Sequence, residues 1–261
     1  MGDILATGAG AVKGGFNTAV QRIAFDLRKT RDNEIDAIKR ALISAMEHYK
    51  YRRFWFNEGS WTMTTTADTS EYGLETTRGN GDGIPKELLQ VDNIFIFRNA
   101  VSSSDPNNVG TSYELQQRHV DTIRYWIDST TDTRRPYYYA YHHNKFLLYP
   151  TPDDVYKIRI DGMKNLDIPQ YQYSSGSWIY SDQDGAVISD SYSSDWLVYA
   201  DELIRSRAVY SLWANTFDDM NKAAAARDME RQAYEDLVKG TYKRKATGRV
   251  RPNLAGSSFY G

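Results

Sequence analysis

Cysteine is absent from the 261 residues, which excludes disulfides, thiolate nucleophiles and zinc-thiolate centres. Long apolar runs are lacking too: no stretch approaches the roughly 20 residues that a membrane-spanning helix needs. Residues 1–15 are small and rich in Gly and Ala, resembling neither a signal peptide nor an anchor. A soluble protein made in a cytoplasm, with no membrane partner, is the expectation. An excess of charge is also missing, because 32 Lys and Arg against 34 Asp and Glu leave a formal net charge of -2. Such a balance gives no global reason to expect nucleic acid as the main partner.

Catalytic signatures are scarce as well. There is no Gly-x-Ser-x-Gly elbow, no His-Glu-x-x-His helix and no Gly-x-x-x-x-Gly-Lys-Ser/Thr loop. Gly8, Gly10 and Gly14 imitate a dinucleotide loop, but no buried strand precedes them and no alternating βα units follow, so a flexible N-terminal arm is the better reading. Asp182, Asp184 and Gly185 start a calcium-loop pattern without its closing bidentate Glu and read as a solvated turn. The four histidines, His48, His119, His142 and His143, have no metal spacing. The adjacent pair lies in a strand-rich region, where neighbours point to opposite faces. No enzyme, metal or cofactor is expected.

Periodicity is what the chain does have. Val20, Ile23, Ala24 and Leu27 form one stripe within residues 18–29, and Ile35, Ile38, Leu42, Ala45, Met46 and Tyr49 form another, with Asp32 or Asn33 as the expected N-cap of the second helix. From Phe54 the pattern changes to alternation. Residues 60–66, 91–98, 112–119, 122–127, 137–141, 145–149 and 156–163 read as strands, separated by loops at 79–83, 102–110 and 173–185. Helix returns after Ser193 or Ser194, with Trp196, Ala200, Leu203, Ile204, Ala208 and Leu212 on one face. A last helix from about Asp218 contains Ala223 to Ala226 and is expected to stop at Gly240. The plan is α+β: a helical bundle from residues 1–53 and 192–240, an inserted antiparallel β-rich module at 54–191, and an extended C-terminal arm at 241–261. Phe54, Trp55 and Phe56 fall at the first junction and are assigned as an interdomain joint.

Six Trp and twenty Tyr admit a carbohydrate-binding module as an alternative, if their rings form exposed, coplanar platforms. Packing is the plainer reading for at least half of the tryptophans, and a surplus of Tyr also suits protein interfaces. Charge is unevenly placed. Residues 165–201 hold six carboxylates and no Lys or Arg, whereas 241–261 hold Lys243, Arg244, Lys245, Arg249 and Arg251 and no acid. That basic end also carries Val250, Pro252, Leu254, Phe259 and Tyr260, apolar anchors that a merely solubilising tail does not need.

Several blocks resemble, in order, the head-to-tail adaptor (connector) proteins of short-tailed bacteriophages. They are RPYYYAY at 135–141 with NKFLLYPTPD at 144–153, YRRFWFNE at 51–58, SWTMTT at 60–65, IPKELLQVD at 84–92 and DELIRSRA at 201–208. Together they cover roughly residues 30 to 215. Two departures stand out: the extra loop from Glu75 to Gly83, and the His142-His143 pair in place of a shorter polar turn. The resemblance implies a structural virion protein at the head-tail junction, a homo-oligomeric ring, a dodecamer, that extends the DNA channel without sequence-specific DNA binding. It implies portal protein and tail nozzle or fibre proteins as partners. Portal docking then falls to Lys243, Arg244, Lys245, Arg249, Arg251, Leu254, Phe259 and Tyr260.

Overall fold

The computed structural model describes residues 15–76, 81–101, 110–182, 185–189 and 192–248. The chain divides into two compact units, the first made of residues 1–56 and 166–261 and the second of residues 57–165. This is the expected α+β arrangement of a helical bundle with an inserted antiparallel module.

The first unit begins with helices α1 (Phe16–Leu27) and α2 (Asp32–Tyr49). Arg28 ends α1 in the left-handed region at φ 54, returning its N–H to the Ala24 and Phe25 carbonyls. The N-cap of α2 is Arg31 rather than Asp32 or Asn33, because Glu34 reaches back to accept from the Arg31 N–H at 3.3 Å. Lys29 donates to the same carboxyl at 3.0 Å and holds its pKa below the usual range.

The second unit contains strands β1 (Glu58–Thr64), β2 (Glu71–Tyr72), β3 (Leu88–Ala100), β4 (Ser112–Glu114) and β5 (Gln116–Gln117), helix α3 (Val120–Ser129), then β6 (Tyr138–His142), β7 (Lys145–Tyr149) and β8 (Tyr156–Lys164). One sheet has the order β1-β8-β3-β4 and the other β2-β7-β6-β5. Every pairing is antiparallel except β5 with β6. Period-two alternation makes the core: Ile94, Ile96, Ile158 and Ile160 of the first sheet pack with Tyr139, Phe146 and Leu148 of the second. The alternate residues Ala140 and Leu147 meet Ile123 of α3 in a separate cluster. Gly162 is required where β8 crosses the irregular register of β3, since a Cβ there would lie 2.2 Å from the Gln90 carbonyl oxygen.

Residues 122–127, expected as a strand, are helical. The β-branched Thr122, Ile123 and Ile127 suggest a strand locally. Val120, Ile123 and Ile127 nevertheless share one helical face, and they pack with Trp126 against Tyr138 and Tyr149. Burial of that face overrides propensity.

The chain returns to the first unit through the hairpin β9 (Gln170–Ser174) and β10 (Ser177–Ser181), then α4 (Asp195–Tyr199), α5 (Asp201–Asn215) and α6 (Met220–Gly248). Segment 166–191, assigned from sequence to the β module, thus belongs with the helices. The predicted apolar stripe of residues 196–212 is buried throughout, but Ala200 (φ -128, ψ 26) splits it into two helices. Ser194 precedes α4, with its hydroxyl donating to the Asp167 carbonyl at 2.8 Å. The final helix does not stop at Gly240. It continues to Gly248, so the first residues of the predicted arm are helical and residues 249–261 lie outside the described residues.

Candidate interaction site

Phe54 and Phe56 are buried in the first unit, their rings stacked 5.5 Å apart at 4°, with Trp196 edge-on to both. Trp55 packs edge-on against Tyr199 at 4.9 Å, and its backbone N–H donates to Thr241 Oγ1 at 3.3 Å. All three predicted joint residues therefore belong to the bundle from which the chain passes directly into β1. Phe56 and Leu166, at the two crossings between units, share one apolar cluster.

The predicted docking residues divide differently. Lys243 is exposed on α6, Arg244 and Lys245 continue the same helix, and Arg249, Arg251, Leu254, Phe259 and Tyr260 lie outside the described residues. Leading up to them, α6 buries Ala223, Ala226, Glu230, Ala233 and Thr241 among its described side chains, with Tyr234, Leu237 and Val238 partly buried against the core beside them.

Outside the joint and the helices of the bundle, Trp61, Trp126 and Trp178 do not form the exposed, coplanar platform expected for a sugar. Trp178 meets Tyr171 and Tyr173 at 67° and 61° and lies under the Arg40 guanidinium at 4.6 Å. Trp126 packs on Tyr138 and Tyr149, and the Trp61 ring folds back over Gly59. All three rings are half-buried, and the aromatic neighbours of Trp126 and Trp178 are inclined to them rather than coplanar, unlike the exposed coplanar platform that the carbohydrate reading requires.

Titratable groups are tied into structure instead. Phenol hydroxyls donate to carboxylates at Tyr49–Glu230 (2.5 Å), Tyr156–Asp153 (2.7 Å), Tyr180–Asp36 (3.3 Å) and Tyr192–Asp167 (2.7 Å). Burial first, and the neighbouring carboxylate second, push all four phenol pKa values up. Among the described residues no group of three or more His, Asp or Glu could hold a metal ion.

Sequence reasoning missed a cleft in the second unit. Gln117, Arg118, His119, Val120, Tyr141 and His142 line an open cavity of about 530 Å³ between the start of α3 and the end of β6. The β6–β7 turn has left-handed His143 (φ 48) and Asn144 (φ 58) between the paired His142 and Lys145, the geometry of a two-residue type I′ hairpin. It brings the His142 and His143 rings to 3.9 Å, although strand alternation predicts opposite faces. No spacing motif announces this cleft, because parallel pairing of β5 with β6 is what joins its two walls.

The family model of the SU10 adaptor protein matches residues 16–253 and so runs through both units. The chain belongs to the SU10 adaptor protein family. It is a structural adaptor of a phage virion, located at the head-tail junction, where it interacts with portal and tail proteins; this is not an enzyme family. The matched span ends before Leu254, Phe259 and Tyr260. No curated protein matches the chain. Among the described residues no helix is long and apolar enough to cross a membrane.

Proposed function

We propose that copies of this chain form a dodecameric ring that seats under the portal of a short-tailed phage and extends the DNA channel towards the tail. The family match across both units carries this reading. The bundle, with residues 241–261, makes the portal contact through Lys243, Arg244, Lys245, Arg249, Arg251, Leu254, Phe259 and Tyr260. The β module meets tail nozzle or fibre proteins, and Phe54, Trp55 and Phe56 act as the joint between these two roles. A near-neutral subunit with an acidic segment at 165–201 and a basic end suits head-to-tail contacts around a ring. DNA passes without sequence-specific binding, since strong phosphate contacts would slow its passage.

Thr241 determines where a truncation should begin. It is buried, accepts from the Trp55 backbone N–H and donates to the Leu237 carbonyl at 2.9 Å, so removing it damages the bundle. Deleting residues 249–261 leaves every described contact in place. The truncated chain should fold and form no stable complex with portal, and undiminished portal attachment would sink the role given to the arm. Native mass spectrometry with and without portal tests the ring: a closed twelve-copy species is expected on portal, and a lone subunit there rejects it.

A further inference from the structure

The hairpin of β9 and β10 leaves one strand edge open in the first unit. Tyr171 pairs with Tyr180 and Tyr173 with Trp178 across a turn whose residues, Ser175 (φ 52) and Gly176 (φ 84), are left-handed. The Tyr180 carbonyl accepts from the Ile188 N–H at 3.0 Å, so it points away from β9. In an antiparallel ladder its partner Tyr171 then directs its own N–H and C=O away from β10, and Tyr173, two residues on, does the same. Neither backbone has a hydrogen-bond partner on that side among the described residues.

No charge guards this edge, since residues 170–174 read QYQYS. A strand edge without Lys, bulge or cover invites another strand. Tyr171 is 42% and Tyr173 63% exposed, so an added strand would cover two rings as well as their backbone groups.

The N-terminal end of the chain enters the bundle beside the edge. Phe16 N–H donates to the Tyr192 carbonyl at 3.1 Å and Gly15 bridges Ser193, while the Tyr192 and Ser194 hydroxyls donate to the Asp167 carboxylate and carbonyl at 2.7 and 2.8 Å. Asp167 lies three residues before Gln170, where β9 begins. Residues 1–14, outside the described residues, are therefore tethered at the root of β9. Residues 8–14 (GAGAVKG), at up to ~3.3 Å each, are long enough to run the ~17 Å of β9. Before them stands Ile4-Leu5-Ala6-Thr7, and either parity of a strand there puts one large aliphatic side chain, Ile4 or Leu5, on the side of the tyrosine rings. Asp3 and Lys13 are the only charged side chains of residues 1–14, which suits an uncharged edge. The other chain end is worse placed. Arg207 at His48 and Phe217 at Lys29 show that α5 runs antiparallel to α2, so α6 returns along α2; from Glu230, beside Tyr49, it continues ~27 Å to Gly248, away from Arg40 and the Trp178 that Arg40 covers.

We propose that residues 4–7 add to β9 as an edge strand of the same chain, bonded to the Tyr171 and Tyr173 backbone. A segment whose C-terminal end sits at the root of β9 runs antiparallel to it when laid alongside. Tethering keeps its local concentration high, so a few hydrogen bonds suffice. Covering the edge also keeps free subunits from pairing edge to edge.

Amide hydrogen exchange of the full chain, resolved by residue with NMR, tests this. Tyr171 and Tyr173 N–H should be protected in the wild-type chain and should exchange at least ~10-fold faster after deletion of residues 2–14, with unchanged protection in α2 as the check that the bundle is intact. The double substitution Leu5→Pro, Ala6→Pro should have the same effect, because one of two consecutive strand residues must direct its N–H at β9. Free exchange of the two amides in the wild type, or equal exchange in all three proteins, overturns the proposal. Protection that falls on dilution overturns it too, since the covering strand then comes from another copy.

Discussion

The Tyr49 hydroxyl donates to Glu230 Oε1 across 2.5 Å, joining α2 to α6 over 181 positions of sequence. This bond lies among the alanines at 223, 226 and 233, which let α6 approach the bundle closely, and Tyr234, Leu237 and Val238, which pack against its core. Arg207 Nη1 approaches the same oxygen at 3.4 Å, while the buried Oε2 has no hydrogen-bond partner among the described residues. The carboxylate is thus held mainly at one oxygen, and the helix that leads to the C-terminal arm depends on it.

Tyr49→Phe keeps the ring stacked on Tyr234 at 6.0 Å but removes the donor. Leaving a buried charged acceptor short of a partner costs about 1–3 kcal/mol. The urea midpoint should fall accordingly at unchanged slope, and an unmoved midpoint would show that solvent replaces the phenol without penalty.

Alkali should destabilise the fold through the four phenol–carboxylate pairs. Tyr49, Tyr156, Tyr180 and Tyr192 have pKa values raised by burial and by their carboxylate partners. In the unfolded chain these phenols ionise near pH ~10, while in the folded one they stay protonated to higher pH. The unfolded state then binds fewer protons, so unfolding free energy falls as pH rises. Their contribution is complete below pH ~10 and is lost above it. Melting temperatures measured from pH 8 to 11.5 should hold and then drop, and the drop should be shallower in a Tyr49→Phe, Tyr192→Phe double variant. Identical slopes in the two proteins would remove these pairs as the cause.

Gly162→Ala tests the close approach of β8 to β3. The added methyl would sit 2.2 Å from the Gln90 carbonyl oxygen and 2.9 Å from Leu88 Cδ1, and the first of these is backbone. A shift of the strand is required, at about 1–3 kcal/mol or more. Hydrogen exchange should speed up in β3 and β8 and remain unchanged in α2 and α5, which belong to the other unit. Uniform loss of protection would mean that the two units unfold together.

The helical stripes were legible because burial on α2, α4 and α5 repeats with the period of the helix: Ile38, Leu42, Leu203, Ile204, Ala208 and Leu212 are all almost fully buried. Helix α3 was not, since Thr122 and Ile123 favour strand locally and the Ala140 and Leu147 surface that recruits them lies elsewhere in sequence. Gly240 misled for another reason. Nothing lies within 4 Å of the position its Cβ would take, so it costs α6 only the ~1 kcal/mol of a glycine in an exposed helix, and buried Thr241 carries the helix past it. The cleft beside α3 left no trace at all. Arg118 and His142 are unremarkable until parallel pairing of Gln116 and Gln117 with Tyr138 and Tyr139 places them on one cavity.

Trp196 separates packing from hydrogen bonding at the centre of the bundle. Its ring is 1 % exposed and edge-on to both Phe54 and Phe56, so Trp196→Ala opens a cavity at a cost of about 3–5 kcal/mol. Its buried Nε1, however, has no partner among the described residues, and an unpaired buried donor itself costs about 1–3 kcal/mol. Trp196→Phe removes that donor and keeps most of the aromatic contact, so the two effects oppose each other. The Phe variant should stay within about 1 kcal/mol of wild type in urea unfolding while the Ala variant falls far below it. A Phe variant as damaged as the Ala variant would mean that the indole N–H contributes a bond of its own.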